Sequence, residues 1–202
     1  MNYYSTNGQS PKTSLKDAVV RGLAPDRGLY MPERIPTIPS AFFRHIGDMS
    51  LQDVAYVAAN TLFGDDIESS TLQTIVNDTL NFDIPLVEVD SDKYALELFH
   101  GPTLAFKDVG ARFMARLLGY FNRQQGNEDV NVLVATSGDT GSAVANGFLN
   151  VPGVRVFVLY PKGKVSRIQE AQFTTLGCNV TAIEVDGTFD DCQALVKSAF
   201  MD

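Results

Sequence analysis

The chain has 202 residues, 45% hydrophobic and 20% charged, the balance of a globular protein able to bury a sizeable core. Its 16 Lys and Arg against 24 Asp and Glu give a net charge of -8 without a basic run, which excludes a phosphate-tracking nucleic-acid surface. No segment reaches the roughly 18 apolar residues of a membrane span, and MNYYSTNGQSPKTSL lacks the charged head and apolar core of a leader, so a cytoplasmic protein with no membrane partner is expected.

Residues 1–85 read as a mainly helical region. TSLKDAVVRGL, SLQDVAYVAANTLF and SSTLQTIVNDTL each carry apolar residues at helical spacing behind a Ser or Thr placed to cap the first turn. Between the first two, APDRGLYMPERIPTIP holds Gly28 and four prolines (Pro25, Pro32, Pro36, Pro39), which predict an ordered loop. His45 lies in a surface-like segment with no evident partner.

Residues 86–202 change character. PLVEVD and YALELF read as a pair of strands, followed by a helix from about Lys107 through ARFMARLLGYFNRQ. Strands NVLVAT, VRVFVLY and NVTAIEV then alternate with helices GSAVANGFL, VSRIQEAQFTTL and TFDDCQALVKSAF. VRVFVLY is nearly continuous in apolar residues, as in a parallel strand covered by helices on both faces, so the pattern is α/β with a doubly wound parallel sheet. Ligands of such sheets bind beyond the carboxyl ends of the strands, where loops 100–107, 136–141 and 161–165 are expected. The pattern breaks off at residue 202 without a closing strand, which makes a fragment the expectation. Cys178 and Cys192 have no C-x-x-C spacing and the histidines do not cluster, so buried reduced thiols are expected rather than a disulfide or a metal site.

Three stretches carry chemistry. In HGPTLAFKDVG, Lys107 follows an apolar run at the positive end of a helix; shielding by Phe99 and Phe106 together with the dipole would disfavour its ammonium form and leave a nucleophilic amine. Asp108 beside it fits a first-turn anion, so a purely helix-stabilising arrangement stands as the alternative. His100 precedes the Gly-Pro turn that leads to Lys107.

In ATSGDTGSA, Gly138 and Gly141 let the backbone approach a ligand, and Ser137, Thr140 and Ser142 add hydroxyls to a helix start, which suits a carboxylate or phosphate; a well-capped turn is the other reading. Its D-T-G-S string matches aspartic proteases, but those need two such loops on an all-β frame. In YPKGKVSRIQ, Lys162, Lys164 and Arg167 oppose the dipole of the helix they precede, which fits either a compensating bound anion or a solvated basic loop.

HGPTLAFKD, ATSGDTGSA and YPKGKVSRIQ, preceded by STNG and GLAPDRGLYMPE, resemble in order, over essentially the whole chain, the N-terminal half of the threonine synthase family. These are pyridoxal-phosphate enzymes of fold type II, the tryptophan-synthase-β-like fold. The resemblance implies a carbon-oxygen lyase that converts O-phospho-L-homoserine and water to L-threonine and phosphate. It implies that Lys107 holds pyridoxal 5'-phosphate as a Schiff base and later shuttles protons, and that Asp139 faces the cofactor ring, where many relatives in the wider fold carry Asn. Ser137, Gly138, Thr140 and Gly141 would grip the substrate carboxylate, and Lys164 and Ser166 the substrate phosphate. The family's cofactor-phosphate cup lies beyond residue 202, so this stretch alone is expected to be inactive. Two alternatives remain open at this point: a related phospho-lyase without the hydration step, and a non-catalytic anion-binding α/β module. The oligomeric state is not legible.

Overall fold

The computed structural model describes residues 1–126 and 129–200 and divides into two units, Met1–Asn81 and Phe82–Asp202. Residue 202, where the sequence pattern breaks off, lies outside the described residues.

In the first unit, β1 (Tyr3–Ser5) pairs antiparallel with β2 (Tyr30–Pro32), a short strand inside the proline-rich loop. The loop is ordered by one carboxylate. Asp26 Oδ1 accepts from Ser5 Oγ at 2.5 Å and Gly28 N at 3.0 Å, and its Oδ2 accepts from the N–H groups of Gln9 and Ser10, each at 2.9 Å. Gly28 is required there, since a Cβ would overlap Ser5 Oγ.

Helix α1 (Leu15–Arg21) is capped by Ser14, and α3 (Leu51–Phe63) by a Ser50–Asp53 capping box. The expected Ser or Thr cap is missing from α4 (Ser69–Thr79). Glu68 takes the N-cap position without a side-chain bond, and both serines are drawn into the helix by the burial of Leu72, Ile75 and Val76. Helix α2 (Ser40–His45) and the 3-10 turn Ile46–Asp48 were not expected; α2 starts where Pro39, lacking an N–H, costs a helix nothing, and it buries none of its residues.

In the second unit, β3 (Leu86–Asp90) and β4 (Lys93–Leu96) form a separate antiparallel pair, with every residue of β3 exposed. After α5 (Lys107–Gln124) come β5 (Val130–Ala135), α6 (Asp139–Gly147), β6 (Val154–Pro161), α7 (Arg167–Thr174), β7 (Val180–Val185) and α8 (Phe189–Ala199). The three last strands make a parallel sheet in the order β5-β6-β7, with Val132 opposite Val156 and Val158 opposite Ala182.

Along β6 the two faces differ. Val154, Val156, Val158 and Tyr160 are buried, whereas Phe157 and Leu159 are half-buried, so cover on the second face is thinner than the apolar run predicts. The expectation of two buried thiols is also corrected. Cys192 is buried in α8, but Cys178 is exposed in a turn at φ 54°. Among the described residues no helix is long and apolar enough to cross a membrane, and no group of three potential metal ligands occurs.

Candidate active site

Lys107 is the first residue of α5 and Asp139 the first of α6. The two helices pack closely because Gly147 has no side chain: a Cβ there would stand 3.0 Å from the carbonyl carbon of Ala111. At the other end of α6, Lys107 Nζ reaches to 3.9 Å from Asp139 Oδ2. This end lies beyond the carboxyl ends of β5 and β6, as a parallel sheet predicts for a ligand site.

The approach to Lys107 is fixed by its neighbour. Asp108, 1% exposed, accepts from Thr103 N at 2.9 Å and from Thr103 Oγ1 at 2.6 Å. A Cβ on Gly101 would meet Asp108 Oδ2 at 2.6 Å, and Leu104 takes the left-handed conformation at φ 59° to bring the chain round. Asp108 is thus a clasp for the 101–105 turn. The apolar shield expected around Lys107 is not formed. Its Nζ lies 5.5 Å from the centroid of Phe106, but Phe106 and Phe99 are 62% and 51% exposed. Both rings point away from the packed core, and the Lys107 side chain stays 36% exposed.

The turn between β5 and α6 is built on Thr136, buried at 1% exposure. Its Oγ1 accepts from Gly138 N at 3.0 Å and Gly141 N at 2.9 Å, and donates to the carbonyl of Gly138 at 2.9 Å. The two glycine N–H groups are therefore turned inward. What faces outward is exposed Ser137, Asp139 and Thr140, with first-turn N–H groups that have no intrahelical acceptor. Gly138 and Gly141 give the turn its shape, whereas Ser137 and Thr140 offer hydroxyls to a ligand. Ser142, buried, donates to the carbonyl of Gln169 at 3.3 Å.

Helix α7 ties these loops together. Gln169 Nε2 donates to Asp139 Oδ1, while Ser166 Oγ donates to Gln169 Oε1 at 3.0 Å and accepts from Gln169 N at 3.3 Å as the N-cap of α7. Gln172 Nε2 donates to the carbonyl of Thr103 at 3.3 Å. Lys107, Asp139 and Ser166 are consequently joined through Gln169. Lys164 is exposed on the loop after β6 and near enough to Asp191 to help hold that carboxyl below its usual range, behind the larger effect of the Thr188 hydrogen bonds. His100 pairs with Glu97, its Nε2 2.6 Å from Oε2, and lies against Phe99.

Thr136 and Gln169 were missed by sequence reasoning. Thr136 ends an apolar strand, and nothing local marks it as the acceptor for two N–H groups. Gln169 did leave a signal: Ser166-Arg-Ile-Gln169 has the S-x-x-Q spacing of a capping box. The whole arrangement sets a primary amine beside a carboxylate, at two helix starts lined by hydroxyls. That combination suits a small ligand with both a carbonyl group and negative charge.

The family model described as "Pyridoxal-phosphate dependent enzyme" matches residues 83–202, and that described as "Threonine synthase N terminus" matches residues 2–80. Threonine synthase of Escherichia coli K12 is 43% identical over 205 residues, covering 100% of this chain and 46% of that protein. Among solved structures, pyridoxal-phosphate-bound threonine synthase from Brucella melitensis superposes with a TM-score of 0.91 at 39% identity, over 100% of this chain and 45% of that one. The Escherichia coli crystal structure gives a TM-score of 0.90 at 41% identity over 100% of this chain and 46% of that one. The chain thus spans just under half the length of these relatives.

Proposed function

This chain belongs to the family of pyridoxal-phosphate-dependent enzymes, and from that premise we propose that it supplies the lysine-bearing part of a threonine synthase. The reaction is that of a carbon-oxygen lyase acting on O-phospho-L-homoserine and water to give L-threonine and phosphate, and the enzyme works in the cytoplasm. The observation that carries the reading is the meeting of Lys107 and Asp139, 3.9 Å apart, at the ligand-binding end of a fold shared with a pyridoxal-phosphate-bound neighbour.

The residues fit the cofactor. Lys107 presents a one-third-exposed amine to an aldehyde carbon, and Ser137 and Thr140 of the neighbouring turn are exposed. Thr136 draws the glycine backbone inward, which leaves the outer face of the turn open to a planar ring. Lys107 would hold the cofactor through Nζ, and Asp139 would face its ring. When bound, pyridoxal phosphate supplies an electron sink that stabilises negative charge on the carbon skeleton of the amino acid.

The protein's own groups do the rest. Lys107, as a free amine, takes a proton from the substrate Cα and returns protons at neighbouring carbons, and the Asp139 carboxylate steadies the ammonium form between transfers. Ser137 and Thr140, with the N–H groups at the start of α6, orient the substrate carboxylate. Gly138 and Gly141 serve by shape. Lys164 is assigned to the substrate phosphate as an exposed cation on the loop that leads to Ser166 at the start of α7.

The test is Lys107→Ala in the full-length protein. It should abolish both the visible absorbance that pyridoxal phosphate gains on binding and threonine formation. An unchanged spectrum with full activity would remove the reading. Product analysis with phosphohomoserine should show threonine; a keto acid instead would mark a phospho-lyase.

A further inference from the structure

Lys107 and Asp139 are respectively 36% and 50% exposed, and both side chains have the freedom to close to the 2.7–2.9 Å typical of a charge-assisted hydrogen bond. They stand 3.9 Å apart instead. The other carboxylate oxygen explains the gap, since Asp139 Oδ1 is taken by Gln169 Nε2.

Gln169 is itself held on three sides. Its Oε1 accepts from Ser166 Oγ at 3.0 Å, its N–H donates to the same oxygen at 3.3 Å, and its carbonyl accepts from Ser142 Oγ at 3.3 Å. Because the Asp139 carboxylate can only accept, the NH2 end of the amide faces it, and Oε1 is left to accept from the Ser166 hydroxyl. The space for that amide depends on Gly138, where a Cβ would stand 2.9 Å from both Nε2 and Oε1 of Gln169. Two motifs far apart in sequence, the 138–141 turn and the start of α7, are thereby shaped around one side chain.

We propose that Gln169 is a positioning residue that holds the Asp139 carboxylate back from Lys107, leaving the amine open to an incoming carbonyl group. This rests on the reading of Lys107 as the cofactor lysine, and it adds the residue that keeps that lysine from being closed off by its own counter-ion. An amide suits the task because it can donate to a carboxylate without adding a second negative charge beside it.

The test uses the cofactor-free protein and formaldehyde with cyanoborohydride at one fixed pH, following methylation of Lys107 relative to exposed Lys197 by peptide mass spectrometry. In Gln169→Met the released carboxylate closes on Lys107, and its relative rate should fall about threefold. Gln169→Glu, which keeps size and polarity, should shift it in the same direction by repelling Asp139 towards the amine. In an Asp139→Asn background, Gln169→Met should change nothing, which a merely structural role would not produce. An unchanged or faster rate in Gln169→Met, or an equal change in both backgrounds, would overturn the proposal. Because the probe is formaldehyde, failure of the wild-type protein to bind pyridoxal phosphate would count against the cofactor reading alone.

Discussion

At 1% exposure the Asp108 carboxylate has almost no water around it, and its two oxygens are spent on the N–H and hydroxyl of Thr103. The clasp ties the turn before Lys107 to the helix that starts with it. Asp108→Ala removes both bonds and strands buried donors, which should cost roughly 1.5–3 kcal/mol of stability in a urea titration. The same variant should slow reaction at Lys107, since the residue is then held from one side only. Lys107 itself was legible because a cation after an apolar run at a helix start breaks a local rule. Thr136 and Gln169 were not: the glycine N–H groups that Thr136 gathers lie two and five residues on but follow no helix or strand period, and the S-x-x-Q cap of Gln169 says nothing of its bond to Asp139. A hydroxyl that gathers two glycine N–H groups, or an amide that reaches residue 139 from residue 169, leaves no periodicity to read.

Among the elements, α6 shows how tightly the turn is built. A Cβ at Gly141 would stand 2.6 Å from Thr136 Cβ, and Thr136 is buried with no free direction to move. Gly141→Ala should therefore cost roughly 1–3 kcal/mol in denaturant unfolding, as overpacking does. It should also disturb the outward-facing Ser137 and Asp139. The helices of the parallel layer were readable from apolar spacing, and the structure adds side-chain caps at Ser166 and Thr188. Short elements were not. The three-residue strands β1 and β2 and the six-residue α2 are too brief for a period to emerge, and α2 buries no face. The strand pair β3–β4 was seen, but its separation from the parallel sheet depends on pairing that local sequence does not encode.

For the molecule as a whole, the two units answer to different chemistry, and the first should set a pH window of its own. Ser5, followed by the N–H groups of Gly28 and Gln9, holds the Asp26 carboxyl down to about 2. A lowered folded value means that this contribution is complete above about pH 4 and is lost as pH falls towards 2. Burial, with Asp66 and Asp65 adding negative charge, pushes the Tyr3 phenol up to about 12. The unfolded chain would then ionise first, so stability falls as pH rises from about 10 to 12. Thermal midpoints of the first unit measured across pH should lose the acid limb in Asp26→Asn and the alkaline limb in Tyr3→Phe. The central claim is that one amine, Lys107, is the seat of the cofactor, and borohydride reduction after incubation with pyridoxal phosphate addresses it directly. Peptide mapping should place the reduced adduct on Lys107 and find it gone in Lys107→Ala; an adduct spread over exposed lysines such as Lys162 and Lys164, and unchanged in that variant, would contradict it.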